Sequence, residues 1–186
     1  MFKRRLDLWL PSYLLAAPVR AVRRLQNHGR VVHIILLVCD HFEPRHGAST
    51  EEQPAQRVKS WHEGYAELQD RCRQAFGTKP VHTWFFPPHH GVEHLERMSD
   101  MVFDGLGEVE LHYHHDGDTA ETLSRDLKCT VSQYNRWGFL LAAGKNPRPA
   151  FGFIHGDWAL NNSCGGKYCG VNNETDILRD LGCWGD

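Results

Sequence analysis

The residues VVHIILLVC (31–39) form a nearly continuous apolar run rich in β-branched side chains, too short for a membrane span and not alternating. A strand of that kind is covered on both faces, the condition of a parallel sheet with helices packed on it. The rest of the chain repeats the theme. After a loop, Val58, Trp61, Tyr65, Leu68 and Cys72 recur at three and four, so residues 51–75 are expected to be a helix with one buried stripe, Thr50 and Gln53 offering a capping box. KPVHTWFF (79–86) reads as a second strand stopped by Pro87-Pro88, and residues 92–102 as a short helix. GEVELHYH (107–114) alternates strictly, with Val109, Leu111 and Tyr113 on one face and Glu110, His112 and His114 on the other. Asp118 with Glu121 begins a helix whose stripe runs Leu123, Leu127, Val131, Tyr134, Trp137, Leu141, closed by Gly144. Residues 150–155 form a fourth strand, residues 172–181 a last short helix, and Cys183-Trp184 opens a fifth strand.

Strand–helix alternation of this kind predicts a parallel α/β sheet with short right-handed crossovers. Four such units do not close a barrel, which takes roughly 250 residues against 186 here. The chain is therefore expected to be the N-terminal part of a larger, distorted (β/α) barrel, residues 30–186, preceded by a basic amphipathic extension, residues 1–29. The alternative is an open parallel α/β sheet.

Charge is unevenly spread. Residues 1–30 hold seven Lys/Arg and one acid; the remainder holds fourteen basic and twenty-two acidic residues. The acidic body is a poor nucleic-acid surface. The basic head is a candidate for peripheral membrane or protein contact. LWLPSYLLAAP (8–18) is broken by two prolines and makes no signal peptide, and no run reaches the roughly 18 apolar residues of a spanning helix. Cys39 and Cys72 read as core residues; Cys164 and Cys169, with Cys183 further on, are candidates for a metal or disulfide cluster, though without the usual spacing of a zinc knuckle. The expected setting is reducing and cytoplasmic, with membrane association as an option.

Histidines and aspartates gather where the strands end. Asp40 follows the first strand, with His41, Glu43 and His46 in the same loop; His155, Asp157 and Trp158 follow the fourth. Buried imidazoles and carboxylates need partners or a metal, and open α/β sheets and barrels keep their chemistry at the carboxyl ends of strands. Two histidines at i and i+2 on a strand can embrace one ion. The expected ligands of a divalent metal, zinc or another first-row ion, are Asp40, His112 and either His114 or Asp116. Asp40 or Glu110 is the candidate base, and His155 a candidate acid or oxyanion stabiliser. His41, Asp157, Trp158 and Asn161 are candidate substrate contacts. No dinucleotide fingerprint, Walker loop, HExxH or GxSxG is present.

VCDHFEP (38–44), GEVELHYHHDGDT (107–119) and HGDWALNNS (155–163) resemble segments of the polysaccharide deacetylase superfamily, the NodB-like carbohydrate esterases, and are most similar to a deacetylase-like branch of it. The resemblance covers about residues 30–186. It implies a distorted (β/α) barrel of the glycoside hydrolase/deacetylase type, a divalent metal held by one Asp and two His, and removal of acetyl groups from a carbohydrate substrate. It also implies later barrel motifs beyond Asp186. The expectations that compete with a deacetylase are a glycoside hydrolase drawing on Glu43, Glu110, Asp116 and Asp157, and an inactive carbohydrate-binding relative.

Overall fold

The computed structural model describes residues 6–30, 35–142, 144–145 and 147–186, the first four of them by backbone alone. Two units are distinct, residues 1–36 and 37–186. In the first, helix α1 (Leu6–Leu15) and helix α2 (Ala17–Gln26) follow one another with Ala16 between them. Pro11 lies within α1 and Pro18 in the first turn of α2, where its missing N–H costs nothing.

The second unit runs β1 (Val38–His41), α3 (Gln53–Phe76), β2 (His82–Phe86), α4 (Leu95–Phe103), β3 (Gly107–Tyr113), α5 (Ala120–Asn135), β4 (Phe151–His155), α6 (Glu174–Asp180) and β5 (Cys183–Gly185). All neighbours are parallel and the order is β1-β2-β3-β4-β5, an open five-stranded sheet. The order never reverses, so the sheet has no topological switch point of the doubly wound kind. The fifth strand expected at Cys183 is present.

Alternation along the strands divides the sheet into two faces. Trp84, Phe86, Val109, Leu111, Phe151 and Phe153 join one core with Val58 and Tyr65 of α3, Leu95, Met98 and Met101 of α4, Leu123, Leu127, Val131 and Tyr134 of α5, and Leu178 of α6. In register on the opposite face stand His41 beside Phe85, Phe85 beside Glu110, and His112 beside Ile154. That second face carries His41, Glu110 and His112, whereas Asp40, His82 and His155 stand on the helix-covered face.

The first strand departs from expectation. Residues 31–34 of the expected run lie outside the described residues, and Ile35, Leu36 and Leu37 are exposed and irregular. Among the described residues, ladder pairing starts at Val38, and β1 is an edge strand paired with β2. Cys39 is accordingly exposed, not a core residue. Asp40 is inside the strand, with one residue of β1 still to come.

Helix boundaries shift for identifiable reasons. Glu52, not Thr50, precedes α3, and Gln53 instead exchanges hydrogen bonds with Ser49, accepting from its N–H at 2.7 Å and donating to its hydroxyl at 3.0 Å. The buried stripe of α3 passes through Gln69 rather than Leu68. The Gln69 amide donates to the carbonyls of Pro80 (2.6 Å) and Gly105 (3.0 Å), fastening the approaches to β2 and β3. Thr119, not Asp118, caps α5, in a reciprocal box with Thr122. Helix α5 stops at Asn135, short of Trp137, Leu141 and Gly144; Leu141 instead bridges Pro149.

Candidate metal centre

The rim at the carboxyl ends of β1 and β3 carries the densest chemistry. His41 ends β1 and turns to the polar face, its ring centroid 4.3 Å from that of His112. The next turn brings Glu43 back over the rim. Glu43 Oε1 lies 2.8 Å from His112 Nε2, 3.2 Å from His114 Nε2 and 4.0 Å from His41 Nδ1. The two histidine Nε2 atoms are 3.0 Å apart.

The hydrogen bonds around this cluster orient its rings. His112 Nδ1 lies 2.8 Å from the carbonyl of Ile154, which can only accept, so Nδ1–H donates and Nε2 faces Glu43. Burial pushes the His112 imidazole below its ordinary range, against the opposing hydrogen bonds to Ile154 and Glu43. Burial pushes Glu43 up, but its contacts with His112 and His114 outweigh that and hold the carboxyl below the usual range, so it is ionised. At 2.8 Å the His112 Nε2 atom and the Glu43 carboxylate need a positive charge between them, either a proton on Nε2 or a metal cation in its place. His41, Glu43 and His112 each offer one ligand atom, all within 4.8 Å of one another, and His114 adds a fourth donor. Two or three imidazoles and one carboxylate are a donor set suited to zinc and other first-row divalent ions, and the backbone bond to His112 is the kind of outer contact that orients a metal-binding ring.

His112 and His114 are thus brought together as expected; Asp40 and Asp116 are not. Side chains alternate, and Phe42 belongs to the helix-covered core, so Asp40 shares that face and lies 3.2 Å from His82 Nε2, which packs against Trp61 and Tyr65. Asp116 accepts the Tyr168 N–H at 2.6 Å in the loop beyond β3. Glu110 is buried on the polar face, two residues before His112, accepts the Gly152 N–H at 2.6 Å, and is pushed up to about 7 by burial. Asp157 Oδ2 is 3.4 Å from His114 Nδ1. Trp158 is largely exposed on a left-handed residue, φ 56°. Asn161 shares that conformation; its N–H donates to Glu174, and its side chain accepts from the Thr175 N–H. A cleft of about 390 Å³ borders the rim, lined among others by Asp40, His41, Glu43, Arg57 and Trp61. Arg57 holds the turn that carries Glu43, donating to the carbonyls of Pro44 and His46.

His155 belongs elsewhere. It shares the Phe153 face and meets His115, Cys169 and Glu174 in a second group, all buried, whose ligand atoms also lie within 4.8 Å of one another and could hold a metal ion. Glu174 Oε1 is 3.1 Å from His115 Nε2 and 3.8 Å from His155 Nε2; Oε2 accepts from Cys169 Sγ at 3.2 Å and from the Asn161 N–H at 2.8 Å. Burial pushes the His115 imidazole down, but Glu174 and Asp118 more than offset it and raise it; His115, the Asn161 N–H and Cys169 hold Glu174 low against its burial. His155 Nδ1 accepts the Asp157 N–H at 3.1 Å, which leaves its proton on Nε2, facing Glu174. The group therefore also closes on itself, as a buried ion pair that fastens the 156–173 loop to the ends of β3 and β4.

The sequence signals that could have found Glu43 and His41 were available: an apolar Phe42 on the core face places Asp40 with it and His41 opposite. Nothing local marks Cys169 or Glu174 as partners of His115. The chain matches no family model, no curated protein and no solved structure.

Proposed function

We propose that this chain is a metal-dependent hydrolase that removes acetyl groups from a carbohydrate, with its metal held by Glu43, His112 and His114 and supported by His41. The observation that carries the reading is the rim cluster itself, in which the Ile154 carbonyl holds the His112 ring so that Nε2 meets the Glu43 carboxylate beside His114 and His41. A divalent ion in such a site supplies Lewis acidity toward an acyl oxygen and acidifies water. The protein's own residues supply the rest. Ile154 and Asp157 orient His112 and His114. Arg57 fixes the turn bearing Glu43. The adjoining cleft, with Trp61 half-exposed on its wall, offers a sugar ring an apolar platform.

The sequential parallel order and the polar second face support a (β/α) barrel, since a closing sheet would put that face inside. Carbohydrate as substrate rests on the resemblance of the three strand-end segments to the deacetylases. A glycosidase would need two carboxylates free to flank one bond. Glu43 is engaged by two histidines, Glu110 is buried on Gly152, and Asp116 is bound to Tyr168, which favours the deacetylase.

Elemental analysis of the purified chain and of its Glu43→Gln, His112→Ala and Asp40→Asn variants tests the site, together with acetate release from acetylated oligosaccharides. Metal and acetate release lost in the first two variants, with metal kept in Asp40→Asn, are expected. Equal metal in all four proteins would remove the site, and reducing ends appearing without acetate would replace the deacetylase with a glycosidase.

A further inference from the structure

Helix α2 carries a two-sided pattern that the hydrolase reading does not use, and α1 before it is largely apolar without a preferred side. Leu10, Leu14, Pro18, Ala21 and Leu25 recur at three and four, with Leu15 and Val22 flanking them, and so form one apolar stripe across both helices. Arg20, Arg23 and Arg24 lie on the opposite side of α2, where Arg20 stacks on the Tyr13 ring at 3.8 Å. No residue of α2 is buried; Leu14, Leu15, Val22 and Leu25 are all more than half exposed, Leu15 at 81 % and Leu25 at 76 %. These residues belong to the unit that is distinct from the sheet domain.

We infer that residues 6–26 lie in the plane of an anionic lipid surface, the leucine stripe in the acyl boundary and the arginines among the headgroups. The charge of the chain argues for that occupant. Seven basic residues and one acid in residues 1–30 attract an anionic leaflet, while the rest of the chain, fourteen basic against twenty-two acidic residues, is repelled by it. A lipid surface takes both sides of such a helix at once, burying the apolar stripe while the opposite face stays wet. None of the described helices is long and apolar enough to cross a membrane, so the contact is one of adsorption. Ala16 keeps the ladder running between the two helices, its N–H donating to Ser12 and its carbonyl accepting from Arg20.

The test is co-sedimentation of the full chain with phosphatidylcholine vesicles, with and without about a third phosphatidylserine, at roughly physiological salt. Binding to the anionic vesicles and little to the neutral ones is expected. Arg23→Gln/Arg24→Gln should weaken the partition about 30-fold, the equivalent of about 1 kcal/mol for each arginine, and Val22→Asp/Leu25→Asp should abolish it. Metal content and acetate release, which read the rim cluster, should stay unchanged in both variants, so that this inference and the hydrolase reading fail separately. Equal binding to both vesicle types, or unchanged binding in both double variants, would overturn it. So would capture by soluble polyglutamate with no vesicle binding, which would assign the arginines to an acidic protein instead.

Discussion

Glu110 gives the chain a stability that falls as pH rises. Its carboxyl is buried on the polar face, and burial pushes it up from 4.5 to about 7, against the opposing hydrogen bond from Gly152. Between those values the unfolded chain has released a proton that the folded chain keeps, so each step up in pH favours unfolding. The penalty is absent below about pH 4.5 and complete above about pH 7. A rise from 4.5 to about 7 is worth about 3 kcal/mol. Glu110→Gln keeps an oxygen to accept the Gly152 N–H and never ionises. The assay is urea denaturation of both proteins from about pH 4.5 to about pH 8, in chelator so that no ion at the rim changes with pH. Histidine titrations common to both proteins cancel in the difference. The variant should gain about 3 kcal/mol relative to the parent across that range, whatever constant offset its new amide N–H introduces. Parallel curves would show that Glu110 ionises freely in the folded chain, and would refute the argument from burial.

Single contacts carry the other predictions. Gly156 does not have a left-handed backbone, but an added Cβ would run into the His114 ring; Gly156→Ala should leave the fold intact and weaken metal binding at the rim by about 10-fold or more, and an unchanged affinity by competition titration would show that His114 is no ligand. Gln69→Ala leaves the Pro80 and Gly105 carbonyls without their donor, and should cost about 2–4 kcal/mol in chemical denaturation; a loss under about 1 kcal/mol would mean water takes its place. Glu174→Ala leaves His115 charged, buried and short of a partner and should cost about 3 kcal/mol, read in the same way in chelator; a variant as stable as the parent would show that the second group carries no buried ion pair.

The order of elements is legible along the chain because it depends on local periodicity. The alternation of residues 107–113 gives β3 and both its faces, the three-and-four spacing of Val58, Tyr65 and Leu123, Leu127, Val131 gives α3 and α5, and Cys183-Trp184 opens β5 where expected. The charge contrast between the first thirty residues and the rest needs no coordinates at all. Boundaries such as Val38 for β1 and Asn135 for α5 were set by pairing and packing: an edge strand is as long as its one neighbour allows, whatever its hydrophobicity. The choice between Asp40 and His41 at the rim was decided by a one-residue register, and only the packing of Phe42 into the core resolves it. Glu43 reaches His112, and Glu174 reaches His115, across long stretches of chain, because turns held by Arg57 and Asn161 bring them there. Periodicity reports how a residue stands relative to its neighbours in sequence, whereas a site is made by groups that meet only when the sheet has folded.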